Sequence, residues 1–311
     1  MFKGLIKTMR PKQWTKNAFV LAALVFDRQL THLPALIVSL AGFFIFSLVS
    51  SAIYLINDIA DVEADRRHPQ KRTRPIASGK VPIRVAWLTA IAIMVVCLPA
   101  AWFLSKSFAV IIAIYFVLML AYSKWLKHIP LVDVLIIATG FVLRVAAGVS
   151  LIVIERFSPW LYVVTTLFAL YIGFGKRRAE LTMLAVMQTT PLSPSGDTSP
   201  GTHRGGLTRR VLDGYTIPFL DQLITIVSST TIIAYSLYTF NAPNVPANHT
   251  MMLTIPFVLF GIFRYLYLIQ VKQAGGAPEE LLLSDRPLQV TILLWMISVV
   301  IVFYTQPIPI S

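Results

Sequence analysis

Cysteine is almost absent from this chain: Cys97 is the only one in 311 residues. A disulfide within the chain is therefore excluded, and because Cys97 lies inside an apolar run a redox role is not expected either. Charge is also scarce. Only 13% of residues are Asp, Glu, Lys or Arg, against 56% hydrophobic, and the mean hydropathy is +0.72, which excludes an ordinary soluble domain. Acids are the scarcer sign, with 14 Asp and Glu against 27 Lys and Arg and a net charge of +13. The five His residues, at 32, 68, 128, 203 and 249, are far apart and lack zinc-ligand spacing. No Walker or dinucleotide glycine motif, no nucleophile elbow and no RNA- or DNA-binding pattern is present. The basic N-terminal residues lead into no short apolar segment with a small-residue cleavage site, so no cleavable signal peptide is expected.

What the chain does have is long apolar runs. About nine can be marked, near 17–27, 34–57, 82–104, 107–123, 129–152, 159–175, 217–240, 251–271 and 288–306, most of them near the ~20 residues a helix needs to cross a hydrocarbon core. The run at 17–27 is too short to span comfortably. Continuous apolar runs without alternation predict helices and not a barrel, so the fold class is an all-α, multi-pass transmembrane bundle forming one integral membrane domain over 1–311. Most Lys and Arg residues fall in the N-terminal segment and the loops 58–84, 124–128, 176–216 and 272–287; Arg28, Lys106 and Arg156 occupy the opposite loops. That alternation predicts an odd number of crossings, with the N-terminus and the richly basic loops on the cytoplasmic side. Topology and anionic lipid headgroups account for most of the positive charge without nucleic acid. The segment 188–206, rich in Pro, Gly, Ser and Thr, is expected to be a flexible cytoplasmic loop.

One stretch departs from this apolar background. Asn57, Asp58, Asp61 and Asp65 are followed at once by Lys71, Arg72 and Arg74. On a helix Asp58, Asp61 and Asp65 share one face at i, i+3 and i+7, with Asn57 one turn before Asp61. A carboxylate row beside a cationic cluster suits a magnesium-bound diphosphate: magnesium prefers a few carboxylates plus phosphate oxygens, and the cations neutralise the remaining charge. The plainer reading is a solvated mixed-charge loop, but such loops rarely place acids at helical spacing directly against an apolar span.

Other polar groups near the spans need a partner or a task, because each costs about 2.5–3.5 kcal/mol at mid-membrane. Arg144 and Arg264 are the clearest, with structural ion pairs as the alternative reading. Asp133 and Arg144 are eleven residues apart, about three turns, which predicts a shared polar face. Tyr122 and Lys127 end the fourth run, where interfacial anchors are also common. Lys176, Arg177 and Arg178, with Glu180 a turn beyond Lys176, close the sixth, where simple positive-inside anchoring is the alternative. Asp285 and Arg286 are weaker candidates, since such a pair also caps helices.

These motifs resemble the UbiA superfamily of intramembrane prenyltransferases, whose first Asp-rich motif the run 57–79 matches. Within it the chain is most similar to the decaprenyl-phosphate phosphoribosyltransferases, through Arg10, Pro11, Lys12, Gln13, Trp14, Thr15, Lys16 and Asn17, the run 57–79, Tyr122 with Lys127, Gly175, Lys176 and Arg177 with Glu180, and Asp285 with Arg286. Where the wider superfamily carries a second acidic cluster, this chain has three cations and one carboxylate, which suits a substrate with more phosphate than one diphosphate, such as phosphoribosyl pyrophosphate. The resemblance implies transfer of 5-phosphoribose to decaprenyl phosphate or a similar polyprenyl phosphate, with release of pyrophosphate, at the cytoplasmic face of a bacterial inner membrane, in arabinose donor synthesis for the cell envelope. It implies Mg2+ on Asn57, Asp58, Asp61 and Asp65, catalytic roles for Asp58, Asp61, Asp65 and Arg72, and substrate contacts from Lys12, Lys16, Asn57, Lys71, Arg74, Tyr122, Lys127, Arg144, Lys176, Arg177 and Glu180. A homo-oligomer is compatible with this reading. The alternatives are a UbiA-type enzyme joining a polyprenyl diphosphate to an aromatic acceptor, and a membrane anion transporter.

Overall fold

Residues 1–68, 71–154, 158–189, 210–273, 281 and 284–305 are described by a computed structural model. Among them there is no strand. The helices are α1 (Phe2–Met9), α2 (Ala22–Phe26), α3 (Leu33–Ala60), α4 (Val62–Arg67), α5 (Ile83–Leu104), α6 (Lys106–Lys124), α7 (Val132–Val149), α8 (Trp160–Thr189), α9 (Ile217–Asn241), α10 (Ile255–Gln270) and α11 (Arg286–Thr305). Seven are long and apolar enough to cross a membrane: α3, α5, α6, α7, α9, α11 and the segment Thr250–Gln270 that contains α10. The expected count of about nine is thus seven by length and composition among the described residues. The run at 17–27 falls on the 3-10 segment Pro11–Leu21 and the five-residue α2. Helix α8 is long, but its apolar first half leads into the charged cluster 176–180. Of the loop 188–206, everything after Thr189 lies outside the described residues.

The chain divides into two compact units, Met1–Lys127 with Thr139–Arg156, and His128–Ala138 with Phe157–Ser311. In the first, α3 is the central element, packing on α1, Pro11–Leu21, α5 and α6. Between helices in lipid there is little hydrophobic driving force, so close approach, dispersion and polar ties must hold them. The sequence supplies small residues for this: Ser39, Gly42, Ser47, Ser50, Ser51 and Ala52 are all buried on α3. A Cβ on Gly148 of α7 would lie 2.0 Å from the Val20 carbonyl oxygen, so only glycine permits that approach. Around these contacts sit Val20, Phe46, Val49, Ile53, Phe108, Ile112 and Tyr115. A second cluster, Leu55, Ile59, Val62, Ile76, Val81 and Ala86, underlies the Asp-rich motif.

The Arg10–Asn17 motif is docked on α3 by three ties at helical spacing. Arg10 Nη2 donates to Asp58 Oδ1 (2.6 Å), Trp14 Nε1 to Ser51 Oγ (3.0 Å) and Asn17 Nδ2 to Ser47 Oγ (3.0 Å). Residues 47, 51 and 58 lie on one face of α3. Asn17 Oδ1 accepts in turn from Arg144 Nε (2.8 Å).

In the second unit α8 packs on α9, and α10 on α11, α9 and α8. Tyr171, Tyr215, Leu220, Ile224, Ile262, Tyr265 and Ile269 form the core. Tyr171, whose ring would otherwise bury an unpaired hydroxyl, donates to the Ile262 carbonyl (2.7 Å).

Candidate functional site

Helix α3 ends at Ala60, and Asp61 leaves helical geometry before α4 begins at Val62. That break separates the three carboxylates that an uninterrupted helix would align. Asp58 and Asp65 are buried, 4% and 3% exposed, and converge on one cation: Arg74 Nη1 lies 2.7 Å from Asp65 Oδ2 and 3.4 Å from Asp58 Oδ1. Asp58 Oδ1 also accepts from Arg10, whose guanidinium stacks 4.9 Å over the Tyr54 ring. Asp61 turns aside to Lys127, at 3.8 Å. Arg10 itself has φ 53°, a left-handed conformation that costs a side-chain-bearing residue energy and so implies that surrounding contacts hold it there.

No group of three or more His, Cys, Asp or Glu side chains is gathered as a metal cluster among the described residues. The donor set still fits a hard divalent cation. Two buried carboxylates, with half-buried Asn57 beside them, match magnesium's preference for few protein oxygens plus phosphate. Arg74 Nη1, touching both acids, stands in for a cation shared between them. Lys71 and Arg72 are exposed and make no ion pair among the described residues, while Lys12 is exposed and Lys16 partly buried. Tyr122 is half-buried near the end of α6.

In the second unit the basic cluster is largely neutralised from within. Arg177, 1% exposed, donates through Nε to Asp133 Oδ2 (2.6 Å) and through Nη1 to Glu180. Asp133 Oδ1 accepts from the Tyr215 hydroxyl (2.7 Å), which itself accepts from the Leu131 amide (2.6 Å). Burial, and next the donation to Asp133, pushes the Tyr215 phenol above its ordinary range, so it remains a neutral donor. Arg178 is held by Asp221 (2.6 Å) and the Ile269 carbonyl (2.9 Å). Lys176 alone of the three cations has no carboxylate partner among the described residues. Arg264 pairs with Asp285 (2.8 Å), the structural ion pair that was the alternative reading for it.

Residues 17–186 match the family model described as the UbiA prenyltransferase family. The chain is 34% identical to the decaprenyl-phosphate phosphoribosyltransferase of Corynebacterium glutamicum over 309 residues, 98% of this chain and 88% of that protein. It belongs to the UbiA prenyltransferase family. The decaprenyl-phosphate phosphoribosyltransferase of Mycobacterium tuberculosis H37Rv is 33% identical over 300 residues, covering 95% of this chain and 93% of the relative. Among solved structures, a UbiA homolog from Archaeoglobus fulgidus bound to GPP and Mg2+ superposes with a TM-score of 0.68 at 17% identity, over 96% of this chain and 99% of that one. That likeness carries the UbiA fold, and with the seven apolar helices it makes this a membrane protein.

Within the family framework, several site expectations are redistributed. Asp58, Asp65 and Arg74 are brought together, and Asp61 meets Lys127. Asp133 and Arg144 are about three turns apart on the continuous helix α7, but they take separate partners: Asp133 is held with Arg177 and Tyr215, and Arg144 with Asn17, Tyr115 and the Gly140 carbonyl. Arg144 is also enclosed by the Phe46, Tyr115 and Phe141 rings, so its donors serve the protein interior. Arg177, expected to reach a phosphate, is likewise engaged inside. Sequence reasoning passed over Arg10, although it heads the Arg10–Asn17 motif, because nothing local ties it to a carboxylate 48 residues away. It also missed Tyr54 and Tyr215, which carry no motif signal.

Proposed function

We propose that this protein is a polyprenyl-phosphate phosphoribosyltransferase: a phosphate oxygen of the lipid attacks C1 of phosphoribosyl pyrophosphate, and the bond from C1 to the pyrophosphate breaks. The observation that carries this reading is identity of 33–35% over nearly the whole chain to relatives bearing that activity in their names. The chain's own chemistry supports it, since the acidic motif is paired with cations and Lys176, without a carboxylate partner among the described residues, stands where a second acidic cluster would hold another diphosphate.

Asp58 and Asp65, with Asn57 and Asp61, would hold magnesium. When bound, it neutralises diphosphate charge as that charge builds on the leaving group. Arg74 and Arg10, which lie against these carboxylates, would donate to diphosphate oxygens, and exposed Lys71 and Arg72 would assist them. Ribose gains oxocarbenium character as the C1–O bond lengthens, so fixed charges matter more than proton transfer. The lipid phosphate is already ionised at neutral pH and needs no general base. Lys176 is the second unit's candidate phosphate ligand. The site faces the cytoplasm of a bacterial inner membrane, as the basic loops indicate.

The test is a detergent-solubilised assay with magnesium, polyprenyl phosphate and ribose-labelled phosphoribosyl pyrophosphate, following label into the lipid phase. Transfer should require magnesium and be lost in Asp58→Asn and Asp61→Asn chains that remain folded. Turnover of a prenyl diphosphate with an aromatic acceptor, and no ribose transfer, would assign the chain to the other branch of the family.

A further inference from the structure

The helix Phe2–Met9 has three distinct sides. One is buried on the protein: Thr8 is 1% exposed, Leu5 and Met9 pack on the cluster containing Leu55, Ile76 and Val81, and a Cβ on Gly4 would meet Val81 Cγ2 at 2.9 Å. A second is apolar and open, with Phe2 72% and Ile6 41% exposed one turn apart. The third carries Lys3 and Lys7, also one turn apart and both exposed.

Its depth is fixed by what it touches. Val81 stands two residues before α5, and the chain leaving the helix places Arg10 on Asp58 at the end of α3. Both α3 and α5 are apolar enough to cross a membrane, so Phe2–Met9 lies at the level where two spans leave the hydrocarbon. Exposed Lys80 and Arg84 flank the start of α5, and Trp87 is 42% exposed one turn further along it. An apolar stripe beside a cationic stripe at that depth matches a bilayer boundary, where rings and aliphatic chains enter the acyl layer and ammonium groups meet phosphate.

We propose that Phe2–Met9 is an in-plane membrane-surface helix whose partner is a layer of anionic lipid headgroups, Phe2 and Ile6 entering the acyl boundary and Lys3 and Lys7 meeting lipid phosphates. This surface goes beyond the proposed reaction and does not rest on it.

The experiment uses the full chain in lipid nanodiscs, with Ile6→Cys labelled by a polarity-sensitive dye; Cys97, 2% exposed, contributes little labelling, and unmodified chain sets the background. In phosphatidylglycerol discs the dye should be quenched by lipids bearing a headgroup-level nitroxide and shielded from the neutral quencher acrylamide. Lys3→Gln/Lys7→Gln should raise acrylamide quenching about twofold or more, because each lysine near an anionic surface contributes to docking. Phosphatidylcholine discs should do the same, while free inorganic phosphate should leave the signal unchanged. Equal acrylamide access in both lipids and both chains, or a response to free phosphate in place of lipid, would overturn the proposal. Labelling at Phe2→Cys repeats the test should the first site disturb folding.

Discussion

Replacing Arg177 by Met tests whether that cation serves the fold or the substrate. Arg177 and Asp133 are 1% and 0% exposed and meet at 2.6 Å, and Tyr215 occupies the other Asp133 oxygen. Without the guanidinium, a buried carboxylate keeps one neutral donor and loses its counter-charge. Breaking a buried pair from one side costs about 3–5 kcal/mol; the Glu180 contact, on a carboxylate 23% exposed, adds little, about 1 kcal/mol at most. At about 2–4 °C per kcal/mol the unfolding midpoint should fall on the order of 10 °C. Arg177→Met/Asp133→Asn removes the stranded charge while leaving an acceptor for Tyr215, and should recover about half the Arg177→Met loss, so that the coupling in the cycle is about 2 kcal/mol plus whatever Asp133→Asn costs by itself. The assay is thermal unfolding of the four chains of this cycle in one detergent. A single variant within about 1 kcal/mol of the parent, with a raised KM for phosphoribosyl pyrophosphate, would refute the reasoning and return Arg177 to the substrate.

Gly148→Ala should destabilise by about 1–3 kcal/mol or more, since its Cβ would lie 2.0 Å from backbone oxygen, whereas Gly42→Ala should cost less because the atom it meets, Leu151 Cδ1, ends a flexible side chain; unfolding midpoints of the two decide it. Hydrogen bonding from Arg264 holds the Asp285 carboxyl below its ordinary value of 3.8. Its contribution to stability is therefore present above that pH and lost as pH falls through the lower folded value; the difference in unfolding midpoint between parent and Asp285→Asn should be constant from neutrality to mild acid and shrink below about pH 3.8. Lys176→Ala should raise KM for the phosphoribosyl donor or lower kcat without moving the midpoint, and a change in neither would leave Lys176 as a surface anchor. Trp14→Phe, which keeps an aromatic ring but loses the indole N–H that bonds Ser51 and part of the ring volume, should cost about 1–3 kcal/mol in the same unfolding assay.

The sequence by itself determined the solvent, the helical class and the residues that make up the acidic motif. Long apolar runs in a hydrocarbon solvent have no choice but helix, because every backbone polar group must be satisfied within the segment. Asp58, Asp65 and Arg74 were legible as a group because they lie within a few turns of one another. Only the tertiary structure decided which charges are available. Asp61 leaves the shared face because the helix breaks there. Arg10 joins the motif across 48 residues, and Arg177 is withdrawn by Asp133 across 44. Composition reads Arg10 and Arg177 alike as cations, but a cation's task depends on whether a carboxylate is buried against it, and that pairing is set by helix packing over distances that local sequence spacing does not encode.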